Sequence, residues 1–213
     1  MDNLKSMLSN PVHVNKNNSW SRHIQEFLSK TGFGYIWDQQ AVHDPKQFIK
    51  AFKSRCQDIH IQECFGEIDK SNRCRLYRNI KDTYEMEPYL LINYNRELRQ
   101  CLTKMRLSSH KLFVERGRWL KPNVVYEQRT CTVCDSKDIE DEYHVLIKCP
   151  HYTDLRKKFI KSYYYCRPSM YKFLKLMTST NKRELFRLMT CIKFVLKDYN
   201  SRLICNQSLV INS

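Results

Sequence analysis

The sequence contains little glycine and little proline, and this scarcity excludes several fold classes. Its 213 residues include 4 glycines and 6 prolines. No window matches the G-x-G-x-x-G loop of dinucleotide-binding folds or the G-x-x-x-x-G-K-[ST] loop of P-loop proteins. Barrels and sandwiches need many tight turns with positive-φ residues, which glycine usually supplies. We therefore predict an all-α fold in the form of an irregular helical bundle.

Long apolar runs are also absent from the sequence. No run approaches the roughly 18 residues of a membrane span, and the N-terminal residues lack the apolar stretch of a secretory signal. Before residue 131 the cysteines occur singly in helix-like stretches, as buried reduced thiols do. We expect a protein of a reducing compartment, the nucleus or the cytoplasm, with no membrane partner.

The sequence has a large excess of positively charged residues. The 37 Lys and Arg residues outnumber the 22 Asp and Glu residues, which gives a formal net charge of +15. A surplus of this size favours polyanionic partners through counterion release, and nucleic acid is the commonest of them. A basic surface that only keeps the protein soluble is the alternative interpretation.

Apolar residues at helical spacing predict the main helices. We expect helices from Ser19 to near Gly32, over 45–64, from Asn93 onward and from Asn181 onward. One face of the last helix is expected to be buried, with Leu185, Phe186, Met189, Ile192, Val195, Leu196 and Tyr199. The predicted organisation is a flexible arm (1–18), a basic helical segment (19–120), a zinc knuckle with its following helix (121–163), C-terminal helices (164–206) and a tail (207–213).

Four residues between 131 and 149 have the spacing of metal ligands, Cys131-x2-Cys134-x9-His144-x4-Cys149. Two cysteines separated by two residues can place both sulfurs on one ion at about 2.3 Å. His144 and Cys149 cannot share a face of an unbroken α-helix, because five residues rotate by about 140°. We expect Pro150 to end that helix so that Cys149 turns back toward the imidazole. Three sulfurs and one nitrogen fill a tetrahedron, which predicts a structural zinc ion.

Two alternatives to this ligand set remain open. His151 can replace Cys149 as the fourth ligand on spacing alone. The three cysteines can also be reduced core residues beside a surface histidine. A zinc ion would supply folding free energy on the order of 10 kcal/mol to a short, acidic segment.

The predicted nucleic-acid contacts lie on either side of this knuckle. Residues from Asp135 to Glu142 include five acids against one lysine, so we expect the knuckle itself to repel phosphate. The flanks are basic, and we predict that they contact RNA or DNA with low sequence specificity. The predicted contact residues are Arg106, Lys111, Arg116, Arg118, Trp119, Lys121, Arg129, Arg156, Lys157, Lys158 and Lys161. The neighbouring Tyr163, Tyr164 and Tyr165 either stack on unpaired bases or belong to the core.

Several strings of the sequence resemble one known family. They are 102–112 (LTKMRLSSHKL), 115–119 (ERGRW), 139–144 (IEDEYH) and 149–152 (CPHY), with 32–37 (GFGYIW) upstream and 167–170 (RPSM) downstream. Together they are similar to the C-terminal region of LINE-type, non-LTR retrotransposon reverse transcriptases, over most of the chain. The resemblance implies a metal role for the Cys-Cys-His-Cys set and a nucleic-acid role for its flanks. His110 matches a family position, and we expect it to pack between helices.

The resemblance does not extend to the catalytic machinery of that family. Its members polymerise DNA with paired aspartates that hold two metal ions. No Asp-Asp dipeptide occurs in this sequence, and the fingers and palm are expected upstream of Met1. We therefore expect no catalytic residue and no enzyme activity, and the polymerase portion of a retroelement protein is an expected partner.

Other function classes fit parts of the same pattern. The chain can be a protein–protein interaction module in which zinc only organises helices, or a non-functional relic of a retroelement. An enzyme that uses cysteine and histidine in nucleophilic catalysis is less well supported, because these residues are better explained as metal ligands. Salt-dependent binding to short RNA or DNA separates a nucleic-acid-binding module from an interaction module.

Overall fold

The chain folds into helices joined by short irregular segments. The computed structural model describes residues 19–92 and 94–211, and within these ranges it contains no β-strand and only one isolated bridge, between Thr130 and Ile139. The predicted all-α class is therefore confirmed. The predicted arm over 1–18 lies outside the described residues. In the described part of the chain, no helix combines the length and the apolarity needed to cross a membrane.

The chain divides into two compact units, one ending at Gly66 and one beginning at Glu67. The division falls inside the predicted segment 19–120. The first unit contains helices α1 (Ser19–Lys30) and α2 (Gly34–Gln39) and most of α3 (Pro45–Lys70). Gly32 has a φ of 84°, and this left-handed residue follows the end of α1 as predicted.

Helix α3 starts where the sequence predicted and continues further than predicted. The Asp44 carboxylate accepts hydrogen bonds from the backbone N–H groups of Lys46 and Gln47 at 2.9 and 3.1 Å, so it caps the helix. Pro45 occupies the first helical position, where its missing N–H group has no cost. The helix runs to Lys70 rather than to residue 64.

The second unit holds the remaining elements. Its α-helices are α4 (Pro88–Leu91), α5 (Arg96–Arg106), α6 (Phe113–Arg116), α7 (Thr153–Phe159), α8 (Ser162–Tyr165), α9 (Met170–Met177) and α10 (Lys182–Ile211). Short 3-10 turns lie at Tyr77–Asn79, Tyr126–Gln128 and Pro150–Tyr152, and a π-helical turn lies at His144–Lys148.

Helix α10 forms the centre of the second unit and packs against α5 and α7. The Asn181 side chain caps it by accepting the Glu184 N–H at 3.0 Å. Its buried stripe has a spacing of three and four residues and consists of Leu185, Leu188, Met189, Cys191, Ile192, Val195 and Tyr199. The helix continues past the predicted boundary at 206 to Ile211.

The prediction that Phe186 is buried is wrong. Its side chain is half exposed, because its position lies about 120° around the helix from Ile192 and about 180° from Val195, away from the buried stripe. The Phe186 ring instead lies 6.4 Å from the ring of Tyr94 at the edge of the bundle.

Arg106 is a structural residue rather than a phosphate contact, which corrects the sequence prediction. Only 3% of it is exposed. One guanidinium nitrogen donates to Glu87 at 2.6 Å and the other to the carbonyl of Met177, while the group lies 4.5 Å from the ring centre of Tyr89. Arg106 therefore connects α5 to α9 and to the start of α4.

We expect Arg106→Met to lower the free energy of unfolding by about 2–4 kcal/mol, because it removes a buried charge-assisted network. Arg96→Met, on the exposed first turn of the same helix, should change it by less than about 0.5 kcal/mol. Urea titrations of the two variants measure the difference. Equal stability of both variants would contradict this role for Arg106.

Candidate metal centre and basic groove

The four side chains with ligand spacing converge in the folded chain. One potential ligand atom from each of Cys131, Cys134, His144 and Cys149 lies within 4.8 Å of the other three. Nε2 of His144 lies 3.3 Å from Sγ of Cys134. Cys131, His144 and Cys149 are buried, and Cys134 is half-buried. The group is a possible site for one metal ion.

A short hairpin carries the two cysteines of the first pair. The Cys131 N–H donates to the carbonyl of Asp138 at 2.8 Å, and the Glu140 N–H donates to the carbonyl of Arg129 at 2.9 Å. Lys137 adopts a φ of 57° in the turn between the two arms. The hairpin places the Cys131 and Cys134 sulfurs on the side that faces His144.

A π-helical turn brings His144 and Cys149 together. The Asp141 carboxylate accepts the His144 N–H at 2.7 Å and caps the turn. The Cys149 N–H donates to the carbonyl of His144 at 2.7 Å, which is an i to i+5 hydrogen bond. The sequence predicts an α-helix that ends before Pro150. The structure has a π-helical turn at His144–Lys148, and this wider turn brings residues five apart close together. Cys149 leaves the helical region as predicted, with a ψ of 121°.

His151 does not belong to the ligand group. Its Nε2 lies 2.7 Å from a guanidinium nitrogen of Arg202 and 3.5 Å from Asp198 on α10. The ligand group that converges contains Cys149 instead. Of the two alternatives that spacing left open for the fourth ligand, the geometry therefore supports Cys149.

Hydrogen bonds within the ligand group shift the pKa values of Cys131, His144 and Cys149. The hydrogen bond between Cys131 and Cys149 raises the pKa of Cys131 to about 12 and lowers the pKa of Cys149. Burial disfavours the charged imidazole of His144, but its hydrogen bonds with Cys131 and Cys134 outweigh burial and raise its pKa to about 9. Cys149 therefore favours the thiolate and His144 the imidazolium, whereas Cys131 keeps its proton. A metal ion at this site would displace the protons of Cys131 and His144, because metal ligands are thiolates and neutral imidazoles.

Glu140 connects the knuckle to the rest of the second unit. It is fully buried, and its carboxylate accepts hydrogen bonds from the Phe113 N–H at 2.6 Å and the Tyr199 hydroxyl at 2.5 Å. Thr132 donates both its N–H and its hydroxyl to the other oxygen at 2.8 Å. One carboxylate thus joins the knuckle to α6 and α10.

Glu142 makes a second buried connection. It accepts the Ser108 hydroxyl at 2.5 Å and faces Nε2 of His110 at 2.9 Å. Burial alone would raise the pKa of Glu142, but the bonds with His110 and Ser108 hold it below its usual value. The position of His110 inside the unit agrees with the packing role expected for it.

The buried glutamates correct the prediction of an acidic knuckle surface that repels phosphate. Two of the five acids, Glu140 and Glu142, are inside the protein, and Asp141 is occupied as a cap. Asp138 lies 3.4 Å from Nζ of Lys148. Sequence reasoning missed this because a run of acids looks the same whether it faces water or hydrogen-bond donors from distant segments.

Arg129 and Arg156 are also buried, which corrects their assignment as phosphate contacts. Arg129 donates to the carbonyls of Val114 and Val124 at 2.7–2.9 Å. Arg156 donates to the carbonyls of Leu146 at 3.2 Å and Cys149 at 2.5 Å. The guanidinium groups of both arginines donate to backbone carbonyls inside the protein. Arg129 and Arg156 therefore hold the knuckle and its flanks together and do not face solvent.

A basic groove of about 830 Å³ lies on the second unit. Six cationic residues and two acidic residues line it: Arg73, Lys104, Lys111, Arg116, Lys193 and Lys197, with Glu97 and Glu115. Of the predicted contact residues, Lys111, Arg116 and the exposed Trp119 are on its wall. Of the other four cations, Arg73 follows α3, Lys104 lies on α5, and Lys193 and Lys197 lie on α10. No local charge pattern could have placed them on one wall, because these segments are far apart in the sequence.

The remaining predicted contacts lie outside this basic groove. Lys121, Lys157, Lys158 and Lys161 are exposed, and Lys161 pairs with Glu184 at 2.8 Å. Arg118 is half-buried and pairs with Glu115 at 3.0 Å.

The three tyrosines after Lys161 differ from one another. Tyr164 is buried and donates to Glu184 at 3.0 Å, and Tyr165 packs partly buried against the core. Tyr163 remains 48% exposed, with Nζ of Lys172 at 4.9 Å from its ring centre. Only Tyr163 keeps a ring available for stacking.

Comparisons with known proteins return no counterpart for this chain, since no family model, no curated protein and no solved structure matches it.

Replacing one sulfur should release any metal that this group holds. We expect Cys134→Ser to lose bound metal and to make residues 120–160 sensitive to protease, because the knuckle would lose the ion that closes it. Cys166→Ser removes an exposed cysteine outside the group and should change neither property. Elemental analysis and limited proteolysis measure both, and equal metal content in the two variants would argue against the site.

Proposed function

We propose that this chain is a zinc-stabilised module that binds RNA or DNA with low sequence specificity, without polymerase activity of its own. The resemblance to the C-terminal region of non-LTR retrotransposon reverse transcriptases suggests this role, with the polymerase portion of such a protein as its partner. The observation that carries the proposal is the basic groove, where cations from distant segments meet beside an exposed tryptophan. Such grooves follow a phosphate backbone, and aromatic rings beside them stack on bases.

Zinc is the ion that fits the donor set best. Three sulfurs and one imidazole nitrogen match the tetrahedral ligands of structural zinc, and four protein ligands leave no position for a catalytic water. A carboxylate oxygen of Asp138 lies 3.3 Å from Nδ1 of His144, although not in line for a hydrogen bond. A carboxylate at this place commonly orients a zinc-bound histidine.

The buried Arg156 supports a negatively charged centre. No carboxylate in the described part of the chain pairs with it, although an unpaired buried cation is unfavourable. A divalent ion with three thiolates carries a net charge of −1, and Arg156 bonds the backbone of the ligand Cys149. The positive charge of Arg156 would then compensate the net negative charge of the zinc-bound site.

The metal centre also supports the groove. Ser108 and His110 line the basic groove and bond Glu142, which precedes the ligand His144 by two residues. Glu140 fixes the start of α6 beside the same wall. We therefore assign zinc a structural role, in which it holds the segment that positions the groove.

The charge of Arg156 can be tested separately from its size. Arg156→Gln should weaken zinc affinity by about 10–100-fold, as expected for a residue behind a ligand. Arg156→Lys keeps the charge and should retain most of the affinity, while Lys157→Gln on the exposed side of α7 should retain all of it. Competition with a chromophoric chelator measures the affinities. Equal losses of zinc affinity in the Gln and Lys variants of Arg156 would show that its charge does not determine the affinity.

Two matched charge reversals test the nucleic-acid proposal. Lys104→Glu with Lys197→Glu changes the groove, and Lys157→Glu with Lys158→Glu makes the same change of charge on α7. We expect the groove pair to weaken binding of a short RNA or DNA by tenfold or more and to reduce the salt slope by about one to two. The α7 pair should have a smaller effect.

The salt titration also decides between function classes. A larger loss in the α7 pair would favour the basic flank predicted from the sequence over the groove. Binding that is weak and insensitive to salt in the unmodified protein would contradict the proposal and favour a protein–protein interaction module.

A further inference from the structure

A second cavity adjoins the basic groove. It has a volume of about 660 Å³, within the range of sites for small organic ligands. Trp119 and Glu115 line both the cavity and the groove, so the two share a wall. We name it the aromatic pocket, after Trp119 and Tyr126, whose rings lie on its wall.

Each of the two rings has an arginine beside it and remains accessible to solvent. The guanidinium of Arg75 lies 4.5 Å from the ring centre of Tyr126, and that of Arg73 lies 5.5 Å from the ring centre of Trp119. Tyr126 is 37% exposed and Trp119 is 69% exposed. An aromatic ring that a cation orients from one side, and that water still reaches, can stack on a planar ligand.

The pocket also offers hydrogen-bonding groups that the fold does not use. The side-chain amide of Asn72 has no partner among the described residues, and only the amide oxygen of Asn123 is engaged, with Arg129 at 3.4 Å. Each amide can both donate and accept, which suits the edge of a nucleobase. Arg75 forms no ion pair with a described carboxylate, so its charge is available to a phosphate.

We infer that the aromatic pocket receives an unpaired base of a single-stranded RNA or DNA whose phosphates lie in the adjoining groove. This inference rests on the proposed function and narrows it from nucleic acid in general to single strands. Bases of a duplex are stacked and paired with one another, so they cannot enter a side pocket without being unpaired. Stacking tolerates every base, which agrees with low sequence specificity.

The test compares an RNA and a DNA strand of about 12 nucleotides with the duplexes of the same sequence. Fluorescence anisotropy measures the binding of each to the full chain, to Trp119→Ala and to Trp20→Ala. Trp20 is a matched control, because it is an equally exposed tryptophan in the first unit. Asn72→Ala is a second pocket variant at an exposed position, and thermal melts confirm that each variant folds.

We expect Trp119→Ala to weaken single-strand binding by about tenfold and duplex binding by less than about twofold. Asn72→Ala should have a smaller effect of the same kind, and Trp20→Ala should have none. Unchanged single-strand binding in Trp119→Ala, or an equal loss for duplexes, would overturn the pocket and leave the proposed function intact. Absence of salt-dependent binding to all four nucleic acids in the unmodified chain would instead overturn the proposed function.

Discussion

The convergence of three sulfurs and one imidazole on one point is the constraint on which the rest of the structure depends. The hairpin over 129–140 and the π-helical turn His144–Lys148 meet there. Neither segment is long enough to be stable by itself, and an isolated hairpin is at best marginal in water. An ion shared by both would supply folding free energy on the order of 10 kcal/mol, comparable to the whole stability of a domain.

Two buried glutamates extend this constraint beyond the ligands. Glu140 joins the knuckle to α6 and α10, and Glu142 joins it to the segment that follows α5. Buried carboxylates are tolerated only when donors surround them, and these donors come from segments far apart in sequence. A disturbance at the candidate metal centre would therefore reach the wall of the basic groove, because these buried hydrogen bonds cannot be replaced by bonds to water.

The sequence predicted the features that residues close together in the chain determine, namely helix starts and the metal-ligand spacing. Asp44 and Asn181 mark helix starts because their side chains satisfy free N–H groups, and ligand spacing identified all four members of the converging group. It could not predict which charges are buried. Arg106, Arg129 and Arg156 looked like surface cations because burial depends on carbonyls and carboxylates that only the folded chain brings near them. Lys104, Lys193 and Lys197 of the groove were missed for a related reason, since α5 and α10 are distant in sequence and only their packing places these cations on one wall.

X-ray absorption at the zinc K-edge of the purified chain tests the central claim most directly. The account predicts one zinc per chain with about three sulfur neighbours near 2.3 Å and one nitrogen near 2.0 Å. A protein purified under reducing conditions that takes up no zinc, or a zinc surrounded by oxygen and nitrogen alone, would contradict it.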